Sequence, residues 1–272
     1  MATRSTAMRR RFIDGRHGQL LLHEFGPRGD ETRPPLLCLH PMPYSGAFFR
    51  TIAPRLADGR RVIALDFPGY GQSDALPKPP EIADFRQAAL AVLDWIDGSA
   101  PSDLLGFHTG CLVGADAAIA APKRVRRLVL VDVPYFPGDK AAAMLARMGD
   151  HVVLTPELDC LAPHWDSDVA GRLNDMPIER AFELFVEHIG ARGQPADGFR
   201  AAFRYAVATK FPKIDVPTLV VATESSLLDA TRAAAAMILG GKLVEHPEID
   251  RAVFELGAAT IAATTDTYLT DD

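Results

Sequence analysis

Short apolar runs alternate with longer amphipathic stretches along this chain. Pro35–His40 (PLLCLH), Arg61–Asp66 (RVIALD), Ser102–Gly106, Val125–Val133 (VRRLVLVDV) and Pro217–Thr223 (PTLVVAT) are nearly continuous in apolar residues. Runs of that length without polar alternation predict strands buried on both faces. Lys242–His246 predicts a further strand, and Phe12–Asp14 with Leu20–Phe25, around Gly15 and Gly18, predicts a hairpin. Between these runs the apolar spacing turns helical. Ala47–Leu56, Phe85–Ile96, the Ala-rich Thr109–Ala121, Asp229–Leu239 and Ala252–Leu269 are the predicted helices. Strands alternating with helices mean βαβ units and a mostly parallel sheet.

Residues 134–212 interrupt that rhythm. Ala141–Arg147, Ile178–Ile189 and Gly198–Thr209 carry helical patterns without an intervening strand. The expected organisation is therefore a core of residues 1–133 and 213–272, with residues 134–212 inserted as a helical lid. At 272 residues the chain suits one large domain or two small ones. The composition, 48% hydrophobic and 24% charged, excludes whole-chain disorder, collagen and coiled coil.

Charge narrows the partners. A formal net charge of −6 argues against nucleic acid. The apolar runs fall far short of the ~20 residues of a membrane span. The N-terminal MATRSTAMRRRF has no apolar segment behind its arginines and predicts no secretory signal. Three widely spaced cysteines (Cys38, Cys111, Cys160) form no C-x-x-C pair, so a reducing, cytoplasmic setting is expected. In the insertion, His151, His164, Trp165, Asp166, Asp168 and His188 show neither H-x-x-x-H nor H-E-x-x-H spacing. No metal is expected on that ground, and no cofactor is implied.

Three segments follow predicted strands in order. They are His40-Pro41-Met42-Pro43, Asp66-Phe67-Pro68-Gly69-Tyr70-Gly71-Gln72-Ser73-Asp74, and Gly106-Phe107-His108-Thr109-Gly110. Together they resemble the α/β-hydrolase superfamily over nearly the whole chain. The second matches its D-x-P-G-x-G-x-S signature. The third stands at its G-x-S-x-G nucleophile elbow, with His108 in place of serine. The resemblance implies an α/β fold: a mostly parallel eight-stranded sheet, helices on both faces and a helical lid.

The resemblance also implies where further site residues sit. Its acid position, after the seventh strand, falls on Ser226, with Glu224 nearby; its histidine position falls on Arg251, with His246 five residues earlier. Asp132, after the sixth strand, is the alternative acid. The oxyanion hole is expected from the backbone N–H groups of Met42 and Thr109. His40 is expected either to line the pocket or to brace that loop. Arg251 either binds an anionic substrate group or pairs with Glu224. Cys111 is expected to be a small packing residue. Phe136, Met144, Leu145, Met148, Phe182 and Phe185 are expected to cover the pocket and favour an apolar ligand.

The resulting expectation is an atypical enzyme of this fold acting on a small ester, lactone or similar carbonyl compound. His108 is its base or nucleophile, and Glu224 a candidate partner. The alternative is an inactive protein of the same fold that binds a small ligand or partner.

Overall fold

The computed structural model describes residues 8–29, 31–97, 100–147, 155–191 and 195–271. His151, Met148 and the first residues of the basic N-terminal segment lie outside them. Eight strands form one sheet in the order β1-β2-β4-β3-β5-β6-β7-β8. They are β1 (Arg9–Gly15), β2 (Gly18–Phe25), β3 (Leu36–Leu39), β4 (Val62–Leu65), β5 (Ser102–Phe107), β6 (Val125–Val131), β7 (Thr218–Thr223) and β8 (Lys242–His246). The β1–β2 and β2–β4 pairs are antiparallel, and every other pair is parallel.

The apolar runs explain this architecture. On β3, Leu37 and Leu39 pack into one core while Leu36 and Cys38 pack into the other. The same alternation places Leu128 and Leu130 of β6 on one face and Val129 and Val131 on the opposite face. Each strand is apolar on both sides because each side is covered. Helices Ile82–Asp97 and Thr109–Ala120 cover one face; Ala53–Leu56 and Ala258–Thr270 cover the other.

Several predicted helices differ from those observed: Gly198–Thr209 is divided into Pro195–Arg204 and Val207–Lys210, and Asp229–Leu239 is observed as Leu228–Ala235. Ala47–Leu56 is split into a 3₁₀ turn at Gly46–Arg50 and a helix at Ala53–Leu56. Pro54 sits in the first turn of the latter, and lacking an N–H it starts a helix rather than continuing one. The closing helix begins at Ala258 rather than Ala252. Ala252 holds φ 46, a left-handed conformation that no helix interior accepts.

Between β6 and β7 the chain forms helices at Gly138–Arg147, Ala162–Asp168, Ile178–Ile189, Pro195–Arg204 and Val207–Lys210. Ala162–Asp168 has no counterpart in the sequence expectations. Arg180 of this segment donates to the carbonyls of Ala47 and Phe48 and to Glu255. The Ser45 N–H donates to Glu187 at 3.0 Å, and the Gly198 N–H donates to the Tyr70 hydroxyl at 2.9 Å. The insertion is thus tied to the loops that follow β3 and β4. Among the described residues no helix is long and apolar enough to cross a membrane.

Candidate active site

Strand β5 ends at Phe107 and the next helix begins at Thr109, so His108 alone makes the turn. Its backbone sits at φ 47, ψ −117, a sparsely populated conformation for any residue with a Cβ. The flanking glycines are required by close approach. A Cβ on Gly110 would lie 1.9 Å from the Leu39 carbonyl oxygen, and one on Gly106 would lie 2.5 Å from the Gly110 carbonyl oxygen. The backbone crossing leaves no room for a side chain at Gly106 or Gly110, and His108 stands at the middle of the turn between them.

That side chain faces a cavity of about 490 Å³. Met42, Phe48, Phe107, Leu184, Phe199 and Phe254 supply most of its apolar lining; Asp132, Arg172, His188 and Arg251 contribute polar groups. The His108 imidazole makes no hydrogen bond to any described side chain. Burial pushes its pKa down from 6.5 to about 4, so the ring is neutral at neutral pH. The Phe107 and His108 rings lie 4.0 Å apart, centroid to centroid, and Phe107 packs on Phe254 at 4.5 Å. Aromatic packing therefore fixes the turn from below.

Met42 lines the cavity and Thr109 opens the helix beside His108. Within the described residues, no hydrogen bond uses either backbone N–H. For Thr109 this follows from its place in the first turn, whose donors have no intrahelical acceptor.

His40 is fully buried and absent from the cavity lining, which corrects its assignment as a substrate contact. Its Nδ1 bonds the Pro41 carbonyl at 2.9 Å, and its Nε2 accepts the Phe67 N–H at 3.0 Å. These partners set a neutral tautomer protonated at Nδ1. Burial pushes its pKa down to about 4, against opposing contributions from the Pro41 carbonyl and Asp66. Asp66 accepts the Gly46 N–H and the Gln72 N–H, at 2.8 and 2.9 Å, and bonds His23 at 2.8 Å. Both residues hold loops in place.

Glu224 is exposed and absent from the cavity lining, so it does not partner His108. Its backbone N–H bonds the Ile249 carbonyl, which turns this loop so that Ser225 lines the cavity instead. Asp132 does line it, at φ 51 and fully buried. Its carboxylate accepts the Thr223 N–H at 2.9 Å and the Thr223 hydroxyl at 2.6 Å. Burial raises its pKa, and the hydrogen bonds from Thr223 and Ser225 oppose that rise.

Arg251 stands at the cavity rim and is claimed by carboxylates. It donates to Asp175 at 2.5 Å and to Asp250 at 3.4 Å, not to Glu224. His246 bonds Glu248 and the Thr264 hydroxyl, away from the cavity lining. Of the residues expected to cover the pocket, Phe136, Met144, Leu145, Phe182 and Phe185 are absent from its lining, and Phe182 is exposed. Met176, Leu184 and Phe199 take that role. Their helical pattern left two candidate faces, and the sequence carried no signal for which one turns inward.

The cysteines offer no displaced nucleophile. The buried Cys111 thiol lies 3.2 Å from the carbonyls of Gly106 and Val131, and burial holds its pKa well above the ordinary value. Cys38 is equally buried and likewise raised. Iodoacetamide at pH 8 should alkylate Cys160 in the folded protein and leave Cys38 and Cys111 unmodified until denaturant is added. Peptide mass spectrometry showing native labelling at Cys111 would contradict this placement.

Residues 34–151 match the family model described as alpha/beta hydrolase fold. A segment of 78 residues is 40% identical to the dihydrolipoyllysine-residue acetyltransferase component of an acetoin cleaving system from Pseudomonas putida, covering 29% of this chain and 21% of that protein. Another, of 104 residues, is 36% identical to a haloalkane dehalogenase from Mycolicibacterium paratuberculosis (strain ATCC BAA-968 / K-10), covering 36% of this chain and 34% of that protein. The chain thus spans only about a fifth to a third of the length of these curated relatives. A hydrolase from Pseudomonas aeruginosa PA01 superposes with TM-score 0.77 at 20% identity, over 96% of this chain and 98% of that one. The eight-stranded sheet, the strand-to-helix turn and these matches together make this chain a protein of the α/β-hydrolase fold.

Proposed function

We propose that this protein is an atypical hydrolase acting on a small, largely apolar ester, lactone or similar carbonyl compound. One observation carries the reading: a neutral histidine, unpaired by any described side chain, is held in a strained turn facing a 490 Å³ cavity. Strain of this kind costs about 1–3 kcal/mol and persists where the surroundings impose it. The apolar lining favours a substrate with little charge.

The chemistry follows from the groups present. A substrate carbonyl oxygen placed against the N–H groups of Met42 and Thr109 is polarised by them. A His108 ring nitrogen takes a proton from a water molecule as that water attacks the carbonyl carbon. The two amides stabilise the resulting oxyanion. Collapse breaks the bond to the leaving oxygen, which receives the proton from the imidazolium. The products are an acid and an alcohol, or a single hydroxy acid from a lactone. The insertion acts as a lid over this site. Three free cysteines support a reducing, cytoplasmic setting.

A second reading is a binding protein without turnover. It is favoured by the His108 ring, to which no carboxylate among the described residues is bonded. A panel of p-nitrophenyl esters and lactones distinguishes the two readings. The enzyme reading expects turnover reduced about 10²-fold by His108→Ala, the lower range for one general base. Tight binding of a panel member with no turnover establishes the binder. Turnover unchanged by His108→Ala removes His108 from the chemistry.

A further inference from the structure

Two histidines and an aspartate meet in the insertion, beside the cavity but outside the machinery described above. His164 and Asp168 stand four residues apart, on one face of the helix Ala162–Asp168. His188 comes from the facing helix Ile178–Ile189. One ligand atom from each of the three lies within 4.8 Å of the others. We propose that His164, Asp168 and His188 bind a divalent transition-metal ion of the Zn²⁺ class, with an open coordination position.

The donor set suits such an ion. Imidazole nitrogens favour Zn²⁺ and its neighbours, whereas Ca²⁺ and Mg²⁺ require oxygen-rich shells. Three protein ligands with a fourth position left free is the arrangement of metal sites that meet a substrate or water. His188 lines the cavity, which places the proposed site at the cavity wall. With bonds of about 2.0–2.1 Å, tetrahedral ligands stand roughly 3.3 Å apart. The His188 Nδ1 and Asp168 Oδ2 are hydrogen-bonded at 2.5 Å, so the ion would replace the shared proton and widen the pair to about 3.3 Å. The His164 and His188 rings are perpendicular, with centroids at 5.0 Å, and a side-chain rotation closes the triangle.

The surroundings are ordered for it. Asp168 is buried, and its other oxygen accepts from Arg172 at 3.2 Å. Arg172 also bonds the Tyr44 hydroxyl. That contact orients the carboxylate, as outer hydrogen bonds do around metal ligands, and Oδ2, which bonds the His188 Nδ1, is the oxygen the ion would take. The guanidinium charge opposes the cation, which sets an affinity below that of an all-anionic site. Spacing alone hid this cluster because His188 lies 20 residues beyond Asp168, on another helix. The one visible signal was the H-x-x-x-D pair on a single helical face.

The test uses untagged, chelator-stripped full-length protein at pH 7.5, titrated with Co²⁺ and followed by visible absorption. The expected result is one equivalent bound, with ligand-field bands of a four- or five-coordinate site. Zn²⁺ should bleach these bands, and millimolar Ca²⁺ or Mg²⁺ should not. His188→Gln and Asp168→Asn keep side-chain size, and each should weaken binding by at least about tenfold. Circular dichroism confirms that each variant folds. Stoichiometric binding that survives both substitutions places the metal elsewhere and overturns the proposal. So does an absence of spectral change at millimolar Co²⁺. This readout does not depend on any substrate being found.

Discussion

Gly110→Ala is expected to destabilise the protein by about 3 kcal/mol or more, the upper range for an overpacked core. The added methyl would stand 1.9 Å from the Leu39 carbonyl oxygen and 2.6 Å from its carbon. Both are backbone atoms of a central strand, so relief requires the helix Thr109–Ala120 to move off β3. That movement also takes the Thr109 N–H and His108 away from the cavity. Gly114→Ala on the same helix is the control. Its methyl would meet side-chain tips alone, of Leu128, Leu39 and Leu130, at 3.2, 3.4 and 4.0 Å, and alanine is the better helix former. It should therefore cost far less. Urea unfolding of both variants checks the pair; a Gly110→Ala loss under about 1 kcal/mol would contradict the close approach.

The second large effect is on acid stability and centres on His40. Its folded pKa of about 4 lies below the ordinary 6.5, because burial outweighs the contributions of Pro41 and Asp66. As pH falls from 6.5 toward 4, the unfolded chain binds a proton that the folded chain refuses. Stability contributed by the neutral ring is therefore present above pH 6.5 and lost on acidification, at about 1.4 kcal/mol per pH unit. Over the window this sums to about 3 kcal/mol. His40→Gln keeps an acceptor for the Phe67 N–H and removes the titration. It should be less stable than the parent at pH 7, by about 2 kcal/mol, and the gap should close near pH 5 and reverse by pH 4. A gap constant between pH 7 and 4 would show that His40 does not carry this linkage.

The sheet was legible because burial on both faces erases the polar alternation that makes strands ambiguous. PLLCLH and VRRLVLVDV needed no tertiary information to be placed. The strand-to-helix turn was legible for a related reason. Two glycines at the spacing of Gly106 and Gly110 mark a backbone crossing, with the middle residue, His108, presented at the turn. Helix limits were less legible where single residues act against the pattern: Pro54 divides one helix, and the left-handed Ala252 delays another.

The wall of the cavity was the least legible part. Its residues come from the loops after β3, β6, β7 and β8, from the turn at His108 and from the insertion. Each is amphipathic on its own, and only assembly selects the inward face. Phe182 and Leu184 are two positions apart in one helix, yet Phe182 is exposed and Leu184 lines the cavity. Glu224 and Ser225 exchange roles by one residue for the same reason. Loop positions without periodicity give no rule for which side chain turns inward.

The central claim is that the neutral imidazole of His108 is the working group of the cavity. The most direct measurement is the pH dependence of kcat/KM on the best ester of the panel, for the parent and for His108→Ala. That profile reports the free protein's titrating group. Because the neutral ring is the active form and its pKa is about 4, the account predicts a plateau from pH 8 down to about 5. Below that the rate should fall with an apparent pKa near 4, and the inflection should vanish in His108→Ala. An inflection near the ordinary histidine value of 6.5, or one that survives the substitution, would contradict it.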